Sequence, residues 1–263
     1  MKQFLIFGLG YTAKRIAAAL ERDGWHVVAT GSAGTLDFAD GEAVRAALAD
    51  ASHVLSSVPP DRQSGADPVL TTYGEALGNH WLGYLSSTGV YGDTEGAWVD
   101  ESTPTGGGRR SARTECDRFW LERGARVFRL PGIYGPGRSA FDRVREGRAR
   151  RIDLPAQVFS RVHVDDIVEG VMAALASNAP AGAYNLSDDV PASGNAVIEE
   201  ACRLLDVEPP LLQSLEEANL SVMARGFYAE NRRVANGKAK RVLGWSLRYP
   251  DFRAGMAAIR ARA

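Results

Sequence analysis

Phe4-Leu5-Ile6-Phe7-Gly8-Leu9-Gly10-Tyr11-Thr12-Ala13 decides how this chain is read. Four apolar residues in a row, ended by glycine, are what a strand buried on both faces of a parallel sheet requires. Ala13, Ile16, Ala17 and Leu20 then fall at i, i+3, i+4 and i+7, with Lys14, Arg15, Glu21 and Arg22 off that stripe and Gly24 as a stop. This spacing predicts an amphipathic helix. Trp25 to Thr30 returns as a second strand, which closes a βαβ unit. The turn between strand and helix reads G-x-G-x-x-A. Gly8 permits the tight turn, Gly10 keeps a side chain out of the path of a pyrophosphate, and Ala13 lets helix and strand pack closely. Around Tyr11 and Thr12 the helix N-terminus offers unpaired N–H groups and a favourable dipole to phosphate oxygens.

Outward from this unit the alternation continues. A short strand around Leu36-Asp37-Phe38 precedes a helix opening near Asp40, and a strand from His53 to Val58 ends in Pro59-Pro60. Asp67-Pro68 starts a helix, Trp81 to Ser87 reads as a strand, Arg109 to Arg123 as a helix and Arg126 to Leu130 as a strand. The fold class expected is α/β, a doubly wound parallel (Rossmann) sheet. Past Leu130, the glycines and prolines from Pro131 to Gly137 interrupt the pattern, and the basic stretch Arg143 to Arg151 follows. The expected division is 1–135 with 155–190 as the dinucleotide-binding part, and 136–154 with 191–263 as a smaller C-terminal substrate lobe. The basic stretch reads as a solvated helix face, with a phosphate-bearing substrate as the alternative.

The 263 residues carry 31 basic and 32 acidic side chains, so no net field gathers nucleic acid or an anionic membrane, and neither is expected as a partner. Cys116 and Cys202 stand far apart with no ligand spacing around them. That argues against a disulfide framework and a metal site, and for a reducing cytoplasm. No apolar run approaches the ~18 residues of a membrane span, and the N-terminal one is too short for a signal peptide. At the end of the second strand, Ala29-Thr30-Gly31-Ser32 lacks the carboxylate that holds the ribose of NAD, which leans to NADP. No arginine stands there for a 2′-phosphate either, so NAD or NADP remains open.

Four further stretches follow the glycine turn in order: Ser86-Ser87-Thr88-Gly89-Val90-Tyr91-Gly92, Arg129 to Gly137, Arg161-Val162-His163-Val164-Asp165-Asp166, and Arg232-Arg233-Val234-Ala235-Asn236. Together the five resemble the extended short-chain dehydrogenase/reductases, the NAD-dependent epimerase/dehydratases of nucleotide sugars. Gly10-Tyr11-Thr12 resembles an atypical G-x-G-Y-T subgroup. The resemblance implies that Asp37 and Phe38 lie against adenine, that Ser56, Ser57, Val58 and Pro59 line the dinucleotide, and that Pro131 and Ile133 pass near the nicotinamide. It places the catalytic hydroxyl on Ser87 and makes the His163 to Asp166 segment structural.

The family's Y-x-x-x-K pair, in which the ammonium lowers the phenol pKa, is missing, with Gly107 and Ser111 at the aligned positions. Tyr134 with Arg138 and Tyr228 with Arg232 satisfy only Y-x-x-x-R. Tyr91 is the candidate replacement acid/base. Phe227 and Tyr228, followed by Arg232 and Arg233, suit a segment that closes over an anionic substrate. The implied function is a NAD(P)-binding oxidoreductase of the epimerase/dehydratase type, acting on a small polar substrate, nucleotide-linked or free. The alternative is a NAD(P)-binding sensor or scaffold without the chemistry. A homodimer is the default assembly.

Overall fold

The structure is a computed structural model that describes residues 2–108 and 111–262. Its first part runs β1 (Gln3–Phe7), α1 (Tyr11–Arg22), β2 (His26–Ala29), α2 (Gly41–Asp50), β3 (Ala51–Ser56), α3 (Pro68–Tyr73), β4 (Trp81–Ser87), β5 (Trp98–Val99), α4 (Ser111–Glu122), β6 (Arg126–Leu130) and β7 (Gly132–Tyr134). There follow α5 (Ala140–Arg145), β8 (Arg151–Ile152), β9 (Arg161–His163), α6 (Val164–Ala176), β10 (Gly182–Asn185), α7 (Gly194–Leu205), β11 (Leu212–Gln213), α8 (Val222–Tyr228), β12 (Arg233–Val234), α9 (Gly237–Leu243) and α10 (Phe252–Ala261). Six strands form the main sheet in the order β10-β6-β4-β3-β1-β2, parallel throughout. Strand order reverses between β1 and β3, and in such sheets ligands bind outside the carboxyl ends at that point.

Burial follows from the β1 sequence. Phe4 and Ile6 enter one apolar cluster with Ile16, Leu20, Phe128 and Ile167, while Leu5 and Phe7 enter another with Val54, Tyr84 and Trp120. All four β1 side chains are fully buried, as a strand covered by helices on both faces demands. A third cluster joins Tyr134, Phe141, Val197, Ile198, Phe252 and Met256 across α5, α7 and α10. Ala239, Leu243 and Trp245 pack instead with the first cluster, so α9 covers the main sheet.

Three expectations need correction or trimming. The strand around Leu36-Asp37-Phe38 is reduced to one parallel bridge between Leu36 and Thr30. Asp37 turns the chain there: its carboxylate accepts from Ala39 N, and Asp40 next caps α2 by accepting from Ala43 N. Trp98, which composition groups with Trp81, Trp120 and Trp245 as a core or lobe-contact aromatic, is 57% exposed and joins none of the apolar clusters. The helix expected from Arg109 is α4, and Arg109 itself lies outside the described residues. The His163 to Asp166 segment ties the chain together. His163 caps α6, and the Asp166 carboxylate accepts from Arg248 N and Tyr249 N while Trp245 donates to its backbone oxygen.

Just past β10, Asp188 is buried, and neither of its carboxylate oxygens has a hydrogen-bond partner among the described residues. Burial pushes its pKa up to about 8 against the pull of the Arg161 guanidinium. The folded chain therefore keeps a proton that the unfolded chain releases near pH ~4, and stability falls as pH rises from there toward 8. Asp166, pushed up to about 6 by burial, acts in the same direction, and His163, drawn down to about 4 by burial, acts in the opposite one. Both are spent by about pH 7, which leaves Asp188 to dominate above it. Asp188→Asn is expected to flatten the decline in melting temperature between about pH 7 and 8.5 and to stabilise the protein by about 1–3 kcal/mol at the upper end. A melting series with the parental slope contradicts this.

Candidate cofactor and substrate cleft

One cleft of about 1080 Å³ opens at the carboxyl ends of β1, β3, β4 and β6. Gly10, Tyr11, Thr12, Ala13 and Ser57 line one part of it, Ser87, Thr88, Pro131 and Ile133 the middle, and Arg143, Arg161, Phe159 and Tyr228 the far part. This volume stands at the upper end of the ~300–1,000 Å³ typical of ligand sites.

The glycine turn has the geometry its sequence requires. Gly8 sits at φ +84°, and a Cβ there would come 3.1 Å from both Ser57 Oγ and Val58 Cγ2. Its N–H donates to Thr30 Oγ1 at 3.2 Å, and Leu9 N to Thr30 O at 2.9 Å, which pins the turn to the end of β2. Gly10 differs: a Cβ built on it meets nothing within 4 Å. No protein atom demands glycine at this position, and the space in front of it is cleft. That is the space a pyrophosphate needs at the start of a helix whose N-cap makes no side-chain hydrogen bond. Ala13 is buried against the sheet, as close helix packing requires.

Other candidate residues divide. Ser87, Pro131 and Ile133 line the cleft. Asp37 and Phe38 do not: Asp37 is exposed on its turn, and Phe38 packs edge-on to Phe7 and Tyr73 on the sheet's other side. Of the stretch Ser56 to Pro59, Ser57 faces the cleft, Ser56 is fully buried, and Val58 and Pro59 lie beyond the lining. Because β3 ends at Ser56, alternation along the strand settles which serine is presented.

Tyr91 points inward. Its hydroxyl donates to Asn185 Oδ1 at 2.8 Å and accepts from Arg129 at 3.0 Å. Arg129 in turn holds Asp117 through Nε and Nη2, at 3.1 and 2.7 Å, and Ser86 Oγ donates to the same carboxylate at 2.6 Å. This buried network ties β4, β6, β10 and α4 together directly behind Ser87. Ser87 Oγ accepts from Gly89 N at 3.1 Å and caps the short 3-10 turn 88–91.

At Gly107, where the resemblance aligns the tyrosine of Y-x-x-x-K, the 106–108 loop presses on the 89–92 turn. A Cβ on Gly92 would lie 2.6 Å from the Gly107 carbonyl carbon. Arg113, a residue the motifs did not flag, reaches the cleft beside Ser87 and donates to Tyr84 Oη at 2.7 Å. Both Y-x-x-x-R tyrosines line the cleft; Tyr134 is buried and donates to Asp251 O at 3.3 Å, and Tyr228 lies at the far part beside Phe159. Burial raises the Tyr228 phenol pKa, and the Arg143 and Arg161 guanidiniums oppose that rise.

The far part of the cleft is cationic. Arg143, Arg148, Arg150, Arg161 and Arg232 all line it. Arg232 is bridged by Glu230 at 3.0 Å, and Arg148 is paired with Glu146. Arg161 instead donates to the carbonyls of Phe159, Ala192 and Ser193, and burial pulls its pKa down to about 10 with Arg143 adding to the effect. The Asp188 carboxyl opposes that fall, and an anion brought to the two guanidiniums would oppose it further.

These features sit on a scaffold found elsewhere. The dTDP-glucose 4,6-dehydratase of Bacillus anthracis, solved in complex with NAD, matches 99% of this chain and 96% of its own with a TM-score of 0.78 at 15% identity. The chain shares one fold with that enzyme, built on a parallel sheet with helices on both faces. Within that fold it is 39% identical to a functionally unknown conserved protein from Silicibacter pomeroyi DSS, covering 100% of this chain and 99% of the other with a TM-score of 0.89, and it belongs to the same family as that protein. It is also 25% identical to Protein YeeZ of Escherichia coli K12, over 95% of this chain and 97% of the relative. No protein-family model matches the chain. Among the described residues, no group of His, Cys, Asp or Glu is arranged to hold a metal, and no helix is long and apolar enough to cross a membrane.

Proposed function

We propose that the chain is a NAD(P)-dependent oxidoreductase of the epimerase/dehydratase type whose substrate is small, polar and anionic, as a nucleotide-linked compound is. The observation that carries this reading is one cleft lined at one part by the Gly10 to Ala13 turn and at the other by the Arg143–Arg161 pair, with Ser87 between them. A nicotinamide dinucleotide, NAD or NADP, supplies hydride transfer. Gly8 and Gly10 leave room for its pyrophosphate, Pro131 and Ile133 flank the nicotinamide end, and the Ser87 hydroxyl donates to a substrate oxygen. The substrate's charged group meets Arg143 and Arg161.

Gly10→Val puts a branched side chain into the open space in front of α1 and is expected to weaken dinucleotide binding at least tenfold, about 1.4 kcal/mol. Parental affinity in a variant with the parental melting temperature contradicts the assignment of the turn.

A second reading is supported by Tyr91, whose hydroxyl is spent on Asn185 and Arg129, and by glycine and serine at the Y-x-x-x-K positions. Under it, the chain senses or scaffolds with NAD(P) bound and transfers no hydride. Deuterium exchange from labelled NADH and NADPH across a panel of sugar nucleotides and small carbonyls decides: transfer to any member favours the enzyme, and none across the panel favours the sensor. We further take the chain to work as a homodimer in the cytoplasm, without a nucleic-acid or membrane partner, which light scattering and cell fractionation test.

A further inference from the structure

Next to the glycine turn stands a cation that no motif assigns. Gly135 and Arg138 close a tight turn on each other, Gly135 N donating to Arg138 O at 3.1 Å and Arg138 N to Gly135 O at 3.0 Å. Between them lie Pro136, with its preset φ, and Gly137 at φ +74°, the residues such a turn selects. Two side chains of α1 fasten the turn. Tyr11 Oη donates to Pro136 O at 3.1 Å, and Arg15 donates to the same oxygen at 3.2 Å while reaching back to Tyr11 O at 3.0 Å. Gly135 is required by this contact, since a Cβ there would lie 2.7 Å from Tyr11 Oη. The Arg15 guanidinium carbon lies 4.0 Å from the Tyr11 ring centroid, and that of Arg138 lies 5.6 Å from it.

The two arginines are not equivalent. Arg15 is occupied by backbone oxygens. The Arg138 guanidinium is exposed on the cleft wall that Gly10 to Ala13 also form, and no carboxylate pairs with it among the described residues. A rigid turn, locked at three points, thus holds an unneutralised planar cation beside the phosphate turn.

We infer that Arg138 binds the pyrophosphate of the dinucleotide, as a counter-charge delivered from outside the glycine turn and aimed by Tyr11. This rests on the proposed NAD(P) site and adds to it a residue outside the fingerprint. Arg138 stands two residues before α5, whose N-cap Ser139 and capping Asp142 precede the cleft arginine Arg143. A dinucleotide held by Arg138 therefore fixes the segment that leads to the substrate end. Guanidinium recognises diphosphate through paired N–H donors, so lysine is an incomplete replacement.

The test is titration of the full chain with ADP-ribose, NADH and adenosine, in the parent, in Arg138→Gln and in Arg138→Lys, with melting temperatures for each. Expected are at least tenfold weaker binding of ADP-ribose and NADH by Arg138→Gln, an intermediate loss for Arg138→Lys, a shallower salt dependence in the glutamine variant, and unchanged adenosine binding. Tyr11→Phe, which frees the turn without removing the cation, is expected to weaken ADP-ribose binding less than Arg138→Gln does. Undiminished ADP-ribose binding by a folded Arg138→Gln overturns this inference and leaves the proposed function standing. An equal loss for adenosine also overturns it, because the effect then does not depend on phosphate. Absence of ADP-ribose and NADH binding in the parent overturns both.

Discussion

Arg129→Met is expected to lower the stability of the protein by about 3–5 kcal/mol, a large part of the ~5–15 kcal/mol available to a typical domain. The Arg129 and Asp117 side chains are 4% and 2% exposed and meet at 2.7 Å. Methionine fills most of the apolar stem's volume but leaves the Asp117 carboxylate buried with Ser86 as its remaining side-chain donor. The penalty comes from that stranded charge more than from the attraction lost. Adding Asp117→Leu should recover much of the loss, since a pair replaced by apolar groups strands no charge. Urea denaturation of the two variants decides it: a loss under about 1 kcal/mol in Arg129→Met, or no recovery in the double variant, contradicts this account of the network.

Ser87→Ala is expected to slow hydride transfer roughly 100-fold while leaving dinucleotide affinity within a factor of about two. The pyrophosphate contacts of the proposed site lie at Gly10 to Ala13, on the far side of β3 from Ser87, so binding and turnover separate. Alanine also removes the cap on the 88–91 turn, where Ser87 Oγ accepts from Gly89 N, at about 0.5–1 kcal/mol of stability. Side-by-side melting and single-turnover measurements split the two effects. A variant that melts far below the parent, or one that turns over at the parental rate, shows that Ser87 serves the turn and that the reacting hydroxyl lies elsewhere.

How much of this was legible in the sequence follows from the range of the forces involved. The first βαβ unit could be read because its signals are local: an apolar run, a 3.6-residue stripe and glycines whose backbone needs are independent of the rest of the chain. Leu36 to Phe38 misled because three residues of strand-like composition do not outweigh an aspartate that turns the chain through its own carboxylate. Within Ser56 to Pro59 the sequence did not single out Ser57, because one residue of strand length reverses the face each serine presents. Tyr91 looks catalytic beside Ser87, yet its orientation is set by Arg129 and Asn185, 38 and 94 residues away in the chain. The cationic cleft was the least legible. Arg143 reads locally as part of a solvated helix face, and only folding brings it against Arg161 and Tyr228.

The central claim is that this cleft binds a nicotinamide dinucleotide, and titration of the purified chain with NAD, NADH, NADP and NADPH, followed by nucleotide fluorescence and calorimetry, tests it most directly. The account predicts saturable one-site binding of at least one of the four, with a dissociation constant below about 1 mM, or more than ~4 kcal/mol of binding free energy. Folded protein that shows no saturable signal with any of them at millimolar concentration would contradict it.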